Sequence, residues 1–217
     1  MEDIATVEIT TPTVAFAPPV VPNDKISYRK FLEWNGEEGW FEWVDGEVIE
    51  MSNPSLRHQD LSGFLTAILR FFVEAKNCGV IIAAPFQIKF DFRPSGRQPD
   101  IMFVSNENLH RLQKQYVDGT ADLIIEIVSP ESLARDTQEK FEEYEKAGVK
   151  EYWIIDYRRR TANFYDLDEN GKYKLLHLSA EGKFESRVIE GLWINTDWLW
   201  QEELPNLMEV LKDWKLV

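Results

Sequence analysis

The stretch Leu123-Ile124-Ile125-Glu126-Ile127-Val128 constrains this chain more than any other. Its residues are apolar and mostly β-branched apart from one carboxylate, so it has no polar face to offer water and reads as a strand buried on both sides. Alternation puts Ile124, Glu126 and Val128 on one face of that strand and Leu123, Ile125 and Ile127 on the other. An unpartnered carboxylate inside such a strand costs several kcal/mol, so something must compensate Glu126.

The surrounding pattern supplies cover for a buried sheet. Residues 56–76 carry Leu61, Phe64, Leu65, Ile68, Leu69, Phe72 and Val73 at offsets of three and four, the spacing of one helical face. A second helix is expected over 137–147, with Gly148 as its stop, and a short one after Ser27, carrying Tyr28, Phe31, Leu32 and Trp34 and ended by Gly36. Strand-like runs fall at 41–44 and 47–49 around Asp45-Gly46, a strong hairpin signal, and again at 80–84, 87–92, 101–104 and 152–156. Pro94, Ser95 and Gly96 mark a loop, and the polar segment around Leu109 and Leu112 reads as helical. Short strands at 161–167, 172–178 and 183–190 precede a final helix near 205–214. The order predicts a mixed α/β domain built around one sheet.

At 217 residues, with 44% hydrophobic residues and 13 Phe, 8 Trp and 7 Tyr, the chain has material for one substantial core. Residues 1–24, punctuated by Pro12, Pro18, Pro19 and Pro22, show no period and read as a flexible arm ahead of a single domain over 25–217. The single cysteine, Cys78, excludes an internal disulfide and a cysteine zinc cluster. No run reaches the roughly 18–20 apolar residues that cross a bilayer, and the start lacks a basic leader, so the expectation is a cytoplasmic protein without a membrane partner. The net charge of −14 argues against broad attraction to nucleic acid or anionic lipid, leaving any such contact to local groups.

Two acidic residues stand where a core is expected: Glu126 and Asp100, the latter just after Pro99 at the start of the strand 101–104. Adjacent strands would bring them to a shared edge. Their compensation is either a structural Arg or Lys or a hard divalent cation held by carboxylates and a backbone carbonyl. Lys140, on the helix after Glu126, borders the apolar side of that helix, and its plainest partner by spacing is Asp136. Glu42 and Glu47 read as solvated strand residues, Arg158-Arg159-Arg160 as a solvated basic turn, and His58, His110 and His177 lack partners at zinc-ligand spacing. No phosphate-binding glycine loop, serine elbow or Cys/His pairing is present.

An ordered set of motifs goes further. Phe41-Glu42-Trp43-Val44-Asp45-Gly46-Glu47, His58-Gln59, Arg97-Gln98-Pro99-Asp100, Ile125-Glu126-Ile127-Val128-Ser129-Pro130, and Asp136, Lys140 and Tyr144 leading to Gly148-Val149-Lys150-Glu151-Tyr152-Trp153 resemble the Uma-two family of "putative restriction endonucleases". The resemblance spans about residues 26–200 and implies a PD-(D/E)XK nuclease-like core. That core is a mixed central sheet flanked by helices, here with an additional C-terminal β-hairpin region. It implies Asp100, Glu126 and the Ile127 carbonyl as ligands of Mg²⁺, with Mn²⁺ an alternative, and Glu42 assisting from the first hairpin strand. The wider signature places a lysine two residues after the glutamate, where this chain has Val128, and the resemblance implies Lys140 in its stead. The implied activity is hydrolysis of DNA phosphodiesters by a homodimer, with Arg57, Lys89, Arg93 and Arg97 as the nearest phosphate contacts. Two other readings stay open: a nuclease fold that only binds nucleic acid or protein partners, and a Glu126–Lys140 pair that is purely structural.

Overall fold

The computed structural model describes residues 20–35, 40–129 and 135–217. Most of the expected arm, the helix stop at Gly36, and Pro130 of the Glu-x-x-Ser-Pro motif therefore lie outside the described residues. A short helix α1 (Tyr28–Asn35) opens at Ser27, whose Oγ accepts the Lys30 N–H. The hairpin follows as β1 (Phe41–Val44) and β2 (Glu47–Glu50), turning through Asp45 and Gly46 with φ of 52° and 91°. Positive φ at both central residues suits the right-handed twist of the strands, which is why Asp-Gly is a strong hairpin signal.

The long helix α2 (Leu56–Lys76) matches its predicted bounds, with Ser55 capping the His58 N–H and Asn77 closing it in a left-handed conformation. All seven residues of its predicted apolar face are buried. Then come β3 (Gly79–Ala83), β4 (Gln87–Phe90), β5 (Ser95–Arg97), β6 (Ile101–Ser105), β7 (Tyr116–Asp118), β8 (Leu123–Ile127), α3 (Lys140–Ala147), β9 (Glu151–Asp156), β10 (Thr161–Leu167), β11 (Tyr173–Leu176), β12 (Lys183–Glu185), β13 (Trp193–Asn195) and α4 (Leu207–Asp213).

The central sheet is mixed and six-stranded, in the order β11-β10-β9-β8-β6-β3, with β8 and β9 parallel and β6 antiparallel to β8. One of its faces, including Leu123, Ile125 and Ile127, packs on α2, α4 and the C-terminal strands. The other, with Ile124 and Val128, packs on Tyr144 of α3 and on Ile88, Phe90 and Val117. Those last three belong to a second sheet, β2-β1-β5-β4-β7, where a single sheet was expected.

The segment read as a loop, Ser95–Arg97, is the middle strand of that second sheet, paired with both β1 and β4. Ser95 and Gly96 have little strand preference, but the position requires glycine. A Cβ on Gly96 would sit 2.5 Å from the Tyr28 ring. The helix expected around Leu109 is a 3₁₀ segment, Asn106–Arg111. The C-terminal run 183–190 is shorter as a strand than predicted and pairs with β13 in a separate ribbon.

Candidate active site

The site is assembled where β6 begins and β8 ends. The antiparallel register sets Ile101 opposite Ile125, so the next residues outward, Asp100 and Glu126, are neighbours across the two strands. Asp100 Oδ2 accepts the Ile127 N–H at 2.7 Å, which fixes its carboxylate against the last turn of β8. The His58 Nε2 lies 3.4 Å from the other oxygen, Oδ1, placing the first turn of α2 beside the pair.

Alternation puts Glu126 on the face of Ile124 and Val128, and in the fold α3 covers that face. Its Oε1 accepts Lys140 Nζ at 2.9 Å and the Tyr144 hydroxyl at 2.8 Å. Lys140 and Tyr144 are one helical turn apart, so both reach the same carboxylate. Burial, then the negative charge of Glu126, push the Tyr144 phenol well above its usual range, and it remains a hydrogen-bond donor. The pairing of Lys140 with Asp136 suggested by spacing falls outside the described side chains.

Glu42 is fully buried and stands behind Lys140. Its Oε1 is 3.2 Å from Lys140 Nζ and accepts the Gln98 N–H at 3.2 Å, while its Oε2 accepts Arg97 Nη1 at 3.0 Å. Arg97, also fully buried, then forks onto Glu143 through Nε and Nη2, each at 2.7 Å. Burial lowers the Arg97 affinity for its proton, but hydrogen bonds to Glu143 and the charges of Glu42 and Glu143 outweigh it, so the guanidinium is held charged. Glu143 is bonded in turn by Arg93, which also reaches Asp45 at 2.8 Å. A string of alternating charge, Arg93–Glu143–Arg97–Glu42–Lys140–Glu126, thus runs from the surface to the site. Each ion in it faces an opposite one, the condition under which buried charge is tolerated.

A pocket of ≈ 220 Å³ opens at the inner end of this string. Its lining includes His58, Gln98, Asp100, Glu126, Ile127, Ser129 and Lys140, together with Trp40, Met51–Ser55, Tyr157 and Arg158. Of the residues singled out from sequence, Asp100, Glu126, Ile127 and Lys140 converge here, whereas Glu42 touches Lys140 and does not line the pocket. Val128, in the signature lysine position, is buried in the core between the two sheets.

The basic residues expected to meet phosphate are engaged elsewhere. Arg57 donates to the carbonyls of Leu199, Gln201 and Glu202, and Lys89 pairs with Asp91 and Asp118. Arg93 and Arg97 belong to the buried string. Sequence reasoning missed the roles of Arg97 and Glu143. The one available signal was Arg97 next to Gln98-Pro99-Asp100, since its partners lie 46 and 55 residues away.

A mixed six-stranded sheet thus brings two acidic strand-end residues and a helix-borne lysine to one pocket. The family model described as "Putative restriction endonuclease", Uma2, matches residues 28–197, and the chain belongs to that family. A crystal structure described as a "putative nuclease belonging to DUF820" from Anabaena variabilis superposes with a TM-score of 0.67 at 16% identity, covering 81% of this chain and 97% of that one. At that identity the likeness is one of fold. No curated protein matches the chain.

Proposed function

We propose that this protein is a metal-dependent endonuclease hydrolysing phosphodiester bonds of DNA. The observation that carries the proposal is the convergence of Asp100, Glu126 and Lys140 on one pocket at the end of the central sheet. The donors suit Mg²⁺ or Mn²⁺: Asp100, Glu126 and the Ile127 peptide oxygen are hard oxygen ligands. Among the described residues no group of three or more His, Cys, Asp or Glu is placed to hold a metal ion. Two carboxylates suffice for Mg²⁺, which keeps several waters and takes its remaining ligands from substrate phosphate.

A bound divalent ion would lower the pKa of a water and offset charge on the phosphoryl oxygens. The chain's own residues do the positioning. The Ile127 N–H holds Asp100 in one rotamer, and Tyr144 and Lys140 hold Glu126. The Lys140 ammonium, braced from behind by Glu42, orients the attacking water or stabilises negative charge growing on the phosphate. Glu42 is then a positioning residue acting through Lys140. Cutting both strands of a duplex calls for two such pockets, which a two-fold homodimer would provide.

One observation favours a second reading, a nuclease fold that binds nucleic acid without cutting: Lys140 and Tyr144 already bond Glu126 Oε1. Calorimetric titration with Mn²⁺ separates the two. The nuclease reading expects binding by the wild type that is lost in Glu126→Gln, together with metal-dependent nicking of supercoiled DNA. A folded wild type that takes up no Mn²⁺ and nicks nothing would leave the binding protein as the better account.

A further inference from the structure

A chain carrying a net charge of −14 must hold a polyanion through local positive groups, and the four candidates nearest the motifs, Arg57, Lys89, Arg93 and Arg97, are each paired with carboxylates or carbonyls of the protein itself. The turn between β9 and β10, Tyr157 to Arg160, is different. Arg158 lines the pocket, and Arg158, Arg159 and Arg160 are all exposed. Among the described residues no carboxylate forms an ion pair with Arg158 or Arg160, and Arg159 reaches Asp156 only at 3.7 Å.

The turn is also built to stay where it is. Asp156 Oδ1 accepts the N–H groups of Arg158 and Arg159 at 3.1 and 3.0 Å. At its base the Tyr157 hydroxyl meets Ser55 Oγ at 3.0 Å, tying the turn to the residue that caps α2. Arg160 has φ of 53°, a left-handed conformation that glycine or asparagine adopts at less cost, so the backbone gives no reason for an arginine there. Three consecutive exposed arginines on an anchored turn, at the pocket that Asp100 and Glu126 also line, form a local positive patch that the fold itself does not use.

We propose that Arg158-Arg159-Arg160 is the substrate clamp of this pocket, gripping backbone phosphates of duplex DNA next to the phosphate held by the acidic pair. Arg158 contacts the strand that enters the pocket, and Arg159 and Arg160 contact phosphates outside it. The inference rests on the nuclease reading and names how that site holds its substrate. The contacts are to phosphate, so they strengthen binding without selecting sequence.

The test is fluorescence anisotropy of a labelled DNA duplex with the full chain, in Ca²⁺ to suppress cutting, across a range of salt. It compares the wild type with the double variant Arg158→Ala/Arg160→Gly and with Arg158→Lys/Arg160→Lys. Glycine suits the backbone at 160, so the variant keeps its turn, and a thermal melt verifies it. Each phosphate contact adds about 0.9 to the slope of log affinity against log salt, so the double variant's slope is expected to be shallower by about 1.8. Between roughly 50 and 200 mM salt the wild type then loses about twelvefold more affinity than the double variant, and the lysine variant regains the slope. Equal affinity and slope in wild type and double variant overturn the clamp and leave the nuclease reading standing. A wild type that neither binds nor cuts duplex DNA overturns the nuclease reading and the clamp with it.

Discussion

Replacing Arg97 with methionine removes the centre of the buried charge string. The wild-type guanidinium holds Glu143 by two bonds at 2.7 Å, Glu42 by one at 3.0 Å, and Glu139 more loosely at 3.4 Å. Methionine fills much of the volume and donates nothing, so Glu42 and Glu143 stay buried with one cation fewer each. Both keep other partners, Lys140 and Arg93 respectively, which sets the cost within the range for breaking a buried pair, about 3–5 kcal/mol. For a chain of this length that lowers the melting temperature by roughly 6–20 °C, at about 2–4 °C per kcal/mol. Arg97→Lys keeps the charge but loses the planar fork, and should fall between the two. Urea unfolding at neutral pH gives the difference directly. A deficit under about 1 kcal/mol, the value of an exposed pair, would refute the reasoning.

Further consequences concern single groups. Glu151 is buried and accepts N–H bonds from Arg187 and Val188, a hydroxyl from Ser186 and the Trp153 indole, yet burial outweighs these and raises its pKa from 4.5 to about 6. The folded state therefore holds the Glu151 proton more tightly than the unfolded one. Its stabilising contribution is complete below pH 4.5 and is lost as pH rises through about 6, roughly 2 kcal/mol in all. Urea unfolding should show that decline in the wild type and not in Glu151→Gln; parallel pH profiles would contradict it. Tyr144→Phe removes one donor to Glu126 and should cost about 1.5–3 kcal/mol, the value of a hydrogen bond to a charged group, measurable by thermal melt. The same variant should slow cleavage by freeing the Glu126 carboxylate to rotate, and full cleavage activity would argue that the bond is structural alone.

The central layer was legible because its signals are local. The α2 stripe, the Asp-Gly turn and the β8 run each declare themselves within a few residues, and the alternation in β8 put Glu126 on one face with Ile124 and Val128; that α3 covers this face came only with the fold. Asp100 and Glu126 as neighbours followed from two strand edges and a simple register. The second sheet was not legible, because its middle strand, Ser95-Gly96-Arg97, has no apolar alternation and is a strand only through its partners β1 and β4. The charge string escaped for the same reason, since Glu42, Arg97 and Glu143 meet across three elements. Arg57 and Arg97 look like phosphate contacts beside the motifs, and tertiary structure commits Arg57 to backbone carbonyls and buries Arg97. The arginine turn at 158–160 reads as ordinary solvated surface until the fold sets it at the pocket. Lys140 was placed by resemblance; periodicity gave only that it borders a buried face.

We propose that the Asp100–Glu126 pair serves catalysis through a metal, and the decisive assay is nicking of supercoiled DNA and cutting of linear DNA in Mg²⁺ or Mn²⁺, by wild type and Asp100→Asn with an EDTA control. The expected result is cleavage by the wild type that EDTA abolishes, and loss of cleavage in an Asp100→Asn protein that melts cooperatively. Full cleavage by the folded variant, or no cleavage by a folded wild type with either metal, would contradict it.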